Sequence, residues 1–364
     1  MSARVLVAMS GGVDSSVAAA LLCEQGYEVV GVAMRLTAEA SPSSAVRRAT
    51  CCSHEDFEDA RRVAERMDFP FYVIDLRADF AARVVGNFVS EYLGGRTPNP
   101  CVMCNREIKF DRLWSRARAL EADFVATGHY AQIERDAGGR FHLRRGIDST
   151  KDQSYFLFTL GQSELARTLF PLGAMTKSEV RERARALGLA NADKPESQEI
   201  CFVPDGDYAS FVERAVAPAE IRRGSVVTAD GQALASHGGV HRFTVGQRRG
   251  LGIAAGTPMY VSEIRAATGE VVVGPRDQLN AAGLVAGQVR MVDPVWFESG
   301  EVRLEVKIRY RHPALPARLR MLTGERAEIR FEHGGPAVTP GQACVFYRGD
   351  EVLGGGFIER AVEA

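Results

Sequence analysis

The chain has 364 residues, of which 46% are apolar and 25% are charged, and its formal net charge is −1. A chain of this length can bury a large core and form two or three domains without disulfide staples. Its near-neutral charge excludes a uniformly basic nucleic-acid binder, although a local basic patch can still contact phosphates. The seven cysteines are an odd number, which is typical of reduced thiols, and no apolar stretch is long enough to span a membrane. We therefore expect a cytoplasmic protein without membrane association.

The first third of the chain alternates strand and helix patterns. Predicted strands cover residues 4–9, 28–34, 70–75 and 124–127, and predicted helices cover 15–25, 54–67, 80–93 and 105–120. This alternation predicts a parallel sheet covered by helices on both faces. Ligands of such sheets bind beyond the carboxyl ends of the strands.

The later part of the chain predicts a change of architecture. A hairpin is expected at 132–145 with Gly138 and Gly139 at its turn, followed by helices at 152–160 and 177–187. Short strands of a small β domain or barrel are expected at 261–264, 271–273, 302–310, 317–321, 327–331 and 343–347. The predicted domains are a nucleotide-binding and catalytic domain at 1–205, a small, mainly β domain at 206–290 and a β-barrel at 291–364, with a hinge at 290–294.

A glycine- and serine-rich loop, MSGGVDSS, lies between the first predicted strand and the first predicted helix. Backbone N–H groups and a helix N-terminus at such a loop bind phosphate, and Asp14 can hold Mg²⁺ among phosphates. The lysine of the common ATPase loop GxxxxGK[ST] is missing, so a different kind of phosphate site is expected. Ordinary capping of the helix is the structural alternative.

Two segments carry cysteines in settings typical of loops. TPNPCVMCN places Cys101 and Cys104 where a proline-rich loop enters a helix, and SQEICFVP places Cys201 in a second loop. A helix N-terminus stabilises a thiolate, so these thiols are candidate nucleophiles. A zinc site, a redox pair and an iron–sulfur cluster are alternatives. Cys51 and Cys52 receive no assigned role.

Two groups of basic residues in the second half could form a phosphate-contacting surface. They are Arg242, Arg248 and Arg249, and then Lys307, Arg309, Arg311, His312, Arg318 and Arg320. The alternative is that they lie on solvated strand faces.

The loop SGGVDS resembles the PP-loop of ATP pyrophosphatases, which cleave ATP between the α and β phosphates. Further segments match bacterial tRNA-specific 2-thiouridylases of the MnmA type in their expected order: TPNPCVMCNREIKF, ATGHYA, KDQSYFL, HRFTVGQRRGLGI, IRYRHPALPA and VTPGQACVFY. The resemblance extends from end to end. It implies an α/β protein with a Rossmann-like parallel-sheet PP-loop domain, a small central domain and a C-terminal β-barrel.

In that family, ATP adenylates the 2-oxygen of the wobble uridine in tRNAs for Lys, Glu and Gln, and a persulfide then replaces this oxygen with sulfur. By motif position, the resemblance assigns the persulfide to Cys201. It assigns to Cys104 a second role, as acid/base or as the partner of Cys201 in a disulfide. The implied ATP-binding residues are Ala8, Met9, Ser10, Gly11, Gly12, Val13, Asp14, Ser15, Met34 and Gly128, with Mg²⁺ at Asp14.

The resemblance also implies tRNA and a sulfur-donor protein, a cysteine desulfurase or a persulfide relay, as partners of a monomer. The implied tRNA contacts are Asn99, Pro100, Cys101, His129, Lys151, Asp152, Gln153, Arg309, Tyr310 and Gln342. Taken alone, His129 could equally be a structural loop histidine.

Three alternatives remain open. Cys101, Cys104 and Cys201 could hold a [4Fe–4S] cluster that takes part in thiolation. Another PP-loop ligase would use an amine nucleophile. A non-catalytic tRNA-binding protein would bind ATP without releasing AMP.

Overall fold

The computed structural model describes residues 2–37, 54–195, 200–203, 205–254, 256–297 and 300–363. Among these residues, no helix is both long and apolar enough to cross a bilayer. The chain forms two compact units. The first contains Met1–Val84, Cys101–Gly206 and Asp350–Val352, and the second contains Val85–Pro100, Asp207–Gly349 and Leu353–Ala364.

The secondary-structure elements are numbered in chain order. The α-helices are α1 (Val13–Glu24), α2 (His54–Arg66), α3 (Arg77–Phe80), α4 (Gly86–Leu93), α5 (Pro100–Cys104), α6 (Asp111–Ala119), α7 (Gln162–Leu165), α8 (Lys177–Ala186) and α9 (Tyr208–Ala215). The strands are β1 (Arg4–Ala8), β2 (Glu28–Arg35), β3 (Phe71–Asp75), β4 (Phe124–Ala126), β5 (Ala131–Arg135), β6 (Phe141–Arg145), β7 (Thr168–Leu169), β8 (Gly224–Thr228), β9 (Ala233–His237), β10 (Tyr260–Arg265), β11 (Glu270–Gly274), β12 (Ala281–Met291), β13 (Glu301–Lys307), β14 (Leu315–Leu322), β15 (Arg326–Gly335), β16 (Ala343–Arg348) and β17 (Glu351–Val362).

A five-stranded sheet with the order β3-β2-β1-β4-β7 organises the first unit. All four pairings are parallel, as predicted from the alternation of strands and helices. The helix α1 is apolar on nearly every side and packs in the core against β1, where Val5, Val7 and Val17 are almost completely buried. The carboxyl ends of β1, β2 and β4 meet at one edge, which places the glycine loop at the expected mouth of the sheet.

Two predicted helices in the first unit differ from the structure. The helix expected at 152–160 is wrong: only a 3₁₀ turn, Ser154–Phe156, forms there. The reason is that the Asp152 carboxylate accepts the N–H groups of Gly146 and Ser154, an arrangement that competes with helix formation. The helix expected from residue 105 begins earlier, with α5, and passes through a π-helical turn, Asn105–Phe110, into α6.

The hairpin expected at 132–145 is confirmed as β5 and β6. Within the first unit, Glu351 and Val352 pair with Arg144 and Leu143 and so extend this hairpin by a third strand.

The second unit contains a four-stranded sheet and a closed barrel. The sheet has the order β10-β11-β8-β9, and the barrel has the order β12-β15-β14-β13-β16-β17, with β12 pairing to β17. The barrel confirms the expectation from short alternating strands. Its first strand, β12, runs to Met291, so the expected hinge at 290–294 falls at the end of a barrel strand. The strand expected at 302–310 ends at Lys307, which leaves Arg309 and Tyr310 beyond it.

We predict that Ile329→Ala destabilises the barrel by about 2–5 kcal/mol, because it removes a completely buried side chain from the core. Ile329 is paired with Leu284 on β12 and with Leu319 on β14, so the cavity would open between three strands. Urea-induced unfolding followed by circular dichroism measures the change. The matched control is Val295→Ala, whose side chain is 38% exposed and whose loss is expected to cost under about 0.5 kcal/mol. Equal effects of both substitutions would contradict the placement of Ile329 in the barrel core.

Candidate active site

The glycine loop between β1 and α1 is fixed by hydrogen bonds between a serine hydroxyl and the backbone of the loop. The Ser15 hydroxyl donates to the Gly12 carbonyl at 3.1 Å and accepts the Ser10 N–H at 3.1 Å. Gly11 has φ +73°, and a Cβ there would lie 2.2 Å from the carbonyl oxygen of Asp56. Glycine is therefore required at this position by both conformation and space.

Asn191 anchors the same loop from a distant part of the sequence. Its side-chain amide donates to the Gly11 carbonyl and to the Ser16 hydroxyl, both at 2.9 Å, and the side chain is buried. Close by in sequence, Lys194 contacts the carboxylates of Asp56 and Asp59 on α2 at 2.7 and 2.6 Å. Neither residue was predicted as part of the site, because nothing in its local sequence distinguishes it.

A lysine at the start of α8 lies beside the glycine loop. Lys177 is only 8% exposed, and its ammonium contacts the two carboxylate oxygens of Asp14 at 2.7 and 2.8 Å. The Tyr130 hydroxyl donates to the same carboxylate at 2.7 Å. Sequence analysis missed both residues. One signal was available: Lys177 is the first residue of a helix, where the helix dipole disfavours a cation, so another group is needed to stabilise it.

Gly128 lies directly against the start of α1. A Cβ at Gly128 would lie 2.7 Å from the backbone nitrogen of Ser15, so the end of β4 approaches the loop as closely as glycine allows. Met9 and Ala8 are buried at the end of β1, and Met34 is half-buried near the end of β2. The predicted nucleotide-binding residues therefore lie on or next to the carboxyl edge of one sheet.

The cysteine pair lies on the helical segment that starts at Pro100. Cys101 is exposed and Cys104 is buried, one turn further along. The π-helical turn that follows is a feature common at functional sites, and it is fixed by Asn105, whose amide donates to the Phe156 carbonyl at 3.0 Å. Cys201 is half-buried in the same unit, next to Phe202, whose ring packs edge-on against Phe80.

Cys51 and Cys52 lie outside the described residues. Among the residues that are described, no three His, Cys, Asp or Glu side chains come together as metal ligands. Cys101, Cys104 and Cys201, all of them described, are therefore not gathered into one group of ligands in this structure. The Asp14 carboxylate, the expected Mg²⁺ ligand, is occupied by Lys177 and Tyr130.

His129, an expected tRNA contact, is buried in the first unit. Its Nδ1 lies 2.6 Å from the Thr127 hydroxyl, and its ring packs against Phe110 and Phe170. Burial, helped by the positive charge of Lys109, lowers the pKa of His129 well below its usual range, so the ring is neutral. These contacts favour the structural alternative for this histidine.

Several other expected tRNA contacts use their side chains to join segments of the protein. In the first unit, the Asp152 carboxylate shapes its own loop, and the Gln153 side chain accepts the N–H of Tyr130 at 3.0 Å. In the second unit, the Gln342 amide donates to the carbonyls of Thr97 and Pro98 at 3.0 and 3.1 Å. It thereby holds the segment that leads to Asn99 and Pro100.

Two of the six basic residues predicted on the barrel surface, Arg318 and Arg320, pair with neighbouring acids. Arg318 pairs with Glu301 at 3.1 Å, and Arg320 pairs with Glu328 at 2.6 Å. The Arg309 guanidinium donates to the Thr339 hydroxyl at 2.7 Å. The sequence could not show the two ion pairs, because Glu301 and Glu328 lie on the strands next to β14. Tyr310, another expected tRNA contact, stands beside Lys307, whose ammonium is 5.7 Å from its ring centre.

A glycine loop that opens a helix at the carboxyl edge of a parallel sheet, with a buried lysine and a half-buried aspartate beside it, defines an α/β nucleotide-binding protein. Three family models match: "tRNA methyl transferase HUP domain" over residues 3–205, "tRNA methyl transferase PRC-barrel domain" over 209–275 and "Aminomethyltransferase beta-barrel domain" over 283–358. The chain belongs to the family of MnmA-type tRNA-specific 2-thiouridylases.

Full-length relatives establish this membership. The chain is 53% identical over 365 residues to the tRNA-specific 2-thiouridylase MnmA of Geotalea uraniireducens, with 99% of this chain and 96% of the relative covered. It is also 53% identical to the MnmA of Geobacter metallireducens, with coverage of 99% and 97%. Among solved structures, a 4-thiouridine synthetase–RNA complex with bound ATP has a TM-score of 0.37 and 17% identity over 59% of this chain and 50% of that one.

The buried, neutral state of His129 predicts a pH-dependent stability. Because its folded pKa is depressed, the stabilisation is complete above the unfolded pKa of about 6.5 and is lost as the pH falls below that value. Replacing it by His129→Asn removes one proton uptake on unfolding, worth up to about 1.4 kcal/mol per pH unit. Urea unfolding at pH 7.5, 6.5 and 5.5 should show a smaller loss of stability in the variant. Parallel pH profiles of the two proteins would contradict a neutral His129.

Proposed function

We propose that the protein is a tRNA-uridine 2-sulfurtransferase that uses ATP and a protein-bound persulfide to thiolate the wobble uridine. One observation carries the proposal: a glycine loop with an ion pair between the half-buried Asp14 and the buried Lys177 shares one compact unit with Cys101, Cys104 and Cys201. The relatives, which are named tRNA-specific 2-thiouridylases, support the same activity.

In the first step, the 2-oxygen of the uridine attacks the α-phosphorus of ATP, the bond between the α-phosphorus and the bridging oxygen breaks, and pyrophosphate leaves. The N–H groups of the loop and the start of α1 are suited to bind the departing phosphates. Lys177 is suited to balance their charge, because its present partner is also an anion, Asp14. Mg²⁺ would arrive on the phosphates of ATP and would neutralise part of their charge.

In the second step, the terminal sulfur of a Cys201 persulfide attacks C2 of the adenylated uridine, and AMP leaves. The Cys104 thiolate then attacks the Sγ of Cys201 and breaks the sulfur–sulfur bond, whose electron pair stays with the sulfur on C2. The products are 2-thiouridine and a Cys104–Cys201 disulfide, which a cellular thiol reductant must reopen before the next cycle. The half-buried position of Cys201 suits a group that meets both a donor protein and the RNA.

We further propose that tRNA for Lys, Glu or Gln is the substrate, that a cysteine desulfurase or relay protein loads Cys201, and that the monomeric protein acts in the cytoplasm. The Thr97–Pro98 segment, held by Gln342, would present Asn99 and Pro100 to the target base.

The cysteines are tested by a single-turnover reaction with unmodified tRNA, ATP, Mg²⁺ and a persulfide source, read by mass spectrometry of the digested nucleosides. We expect Cys201→Ser and Cys104→Ser to lower 2-thiouridine formation by more than about 10³-fold, since each removes a group that forms a bond in the reaction. Cys101→Ser is the matched control, on the same turn of helix but exposed, and it should keep activity within a few fold.

A second readout of the same reaction is the thiol count after one turnover without reductant. The wild type should lose two thiols to the Cys104–Cys201 disulfide. If all three variants release AMP but none differs from the wild type in sulfur incorporation, the cysteine roles are wrong and an amine-using ligase becomes the better assignment.

We predict that Lys177→Met lowers pyrophosphate release by about 10²–10³-fold, the usual loss for one group that stabilises developing charge. Methionine is unbranched, apolar and only one heavy atom shorter than lysine, so the lost cation accounts for most of the change. Lys177→Arg retains the charge and should recover part of the rate, while tRNA affinity stays at the wild-type value in both variants. Pyrophosphate release at the wild-type rate in Lys177→Met would remove Lys177 from the mechanism.

A further inference from the structure

The loop 146–153, which carries three of the expected tRNA contacts, is bonded to Tyr130 by a pair of backbone-directed hydrogen bonds. The Gln153 N–H donates to the Tyr130 carbonyl at 2.9 Å, and the Gln153 side-chain oxygen accepts the Tyr130 N–H at 3.0 Å. Gly146, at the other end of the loop, packs directly against Tyr130. A Cβ at Gly146 would lie 2.9 Å from the Tyr130 carbonyl oxygen. A displacement of this loop therefore displaces Tyr130.

Tyr130 connects this loop to the nucleotide loop. The residue is 2% exposed, and its hydroxyl donates to the Asp14 carboxylate at 2.7 Å. A buried tyrosine hydroxyl needs such a partner, so the ring has little freedom to turn away. The Lys177 ammonium lies 5.9 Å from the centre of the same ring.

A second connection leaves the loop at Asp148 and reaches the same carboxylate. The Asp148 carboxylate accepts the backbone N–H of Lys177 at 3.0 Å, and the Lys177 side chain contacts Asp14. The Thr150 hydroxyl holds Asp148 at 2.6 Å. This bond, followed by the Lys177 N–H, lowers the pKa of Asp148, so it accepts as a carboxylate.

We propose that Tyr130 is a positioning residue that couples tRNA binding on the loop 146–153 to ATP binding at the glycine loop. This inference rests on the proposed function. Two connections leave the loop 146–153 at different residues and meet at the Asp14 carboxylate. Together they fix the orientation of this carboxylate and its distance from Lys177. Binding of tRNA that stabilises this conformation of the loop therefore also stabilises the Asp14–Lys177 geometry at the expected phosphate site.

The coupling is reciprocal. If tRNA tightens the binding of the nucleotide by a given factor, the nucleotide must tighten the binding of tRNA by the same factor. Gln153 then has a role that does not require contact with a base, because its side-chain oxygen and its N–H both bind Tyr130.

The test measures the dissociation constant of α,β-methylene-ATP, whose α–β bond resists cleavage, with and without saturating tRNA. In the wild type we expect tRNA to lower this constant by about 5- to 150-fold, the usual range for coupled sites. In Tyr130→Phe, which removes only the hydroxyl, the ratio should fall to below about 2, whatever the affinity of the variant for each ligand alone. Tyr27→Phe is the matched control: it removes the same atom from a half-buried ring that packs on Phe124, at the opposite edge of the sheet.

A second variant, Gln153→Leu, removes the side-chain oxygen that accepts the Tyr130 N–H. It should lower the same ratio of dissociation constants, even if the variant binds tRNA alone more weakly. A ratio unchanged in both variants, or a wild-type ratio near 1, overturns the inference. Wild-type 2-thiouridine formation is measured on the same preparations. If it is absent while the coupling is present, the proposed function fails and the coupling stands; if it is present without coupling, the inference alone fails.

Discussion

The ion pair between Asp14 and Lys177 is the interaction on which the first unit depends. It joins the first turns of two helices, α1 and α8, that are separated by 163 positions in the chain. Asp14 is favoured at its helix N-terminus by the dipole, whereas Lys177 is disfavoured at its own, and the pairing offsets that penalty. Removing Asp14 would leave the Lys177 ammonium, whose side chain is only 11% exposed, without its anionic partner, which is costlier than losing an exposed ion pair. The pair also places a cation from a distant helix beside the glycine loop, whereas common ATPase loops carry their own lysine.

Much of the first unit could be predicted from sequence, because its signals are local. The strand β1 is a short apolar run that ends at glycines, and α1 is an alanine- and leucine-rich run, so both were placed within two residues. The cysteine segment was placed correctly at the start of a helix. The barrel strands were predicted by their alternation, although β12 and β17 were missed. β12 contains two glycines and β17 contains three, and glycines weaken the strand pattern.

What sequence could not provide depends on contacts between distant residues. Tyr130 and Lys177 look like ordinary helix and loop residues until the fold brings them to Asp14. The helix expected at 152–160 fails because one carboxylate, Asp152, holds two backbone groups in a turn. Gln342 resembles a solvent-facing contact, yet its amide is bonded to the backbone of Thr97 and Pro98. In each case a polar side chain that seemed available for a ligand joins two segments of the protein.

One buried residue of the barrel has a practical consequence for studying sulfur chemistry in this protein. Burial raises the pKa of Cys344 to about 12, so at neutral pH its thiol stays protonated. Alkylating reagents attack thiolates, and Cys344 is completely buried on β16, whereas Cys101 is exposed. Labelling of the native protein should therefore leave Cys344 unmodified. In experiments that trap persulfides at the other cysteines, modification of Cys344 then reports that the protein has unfolded.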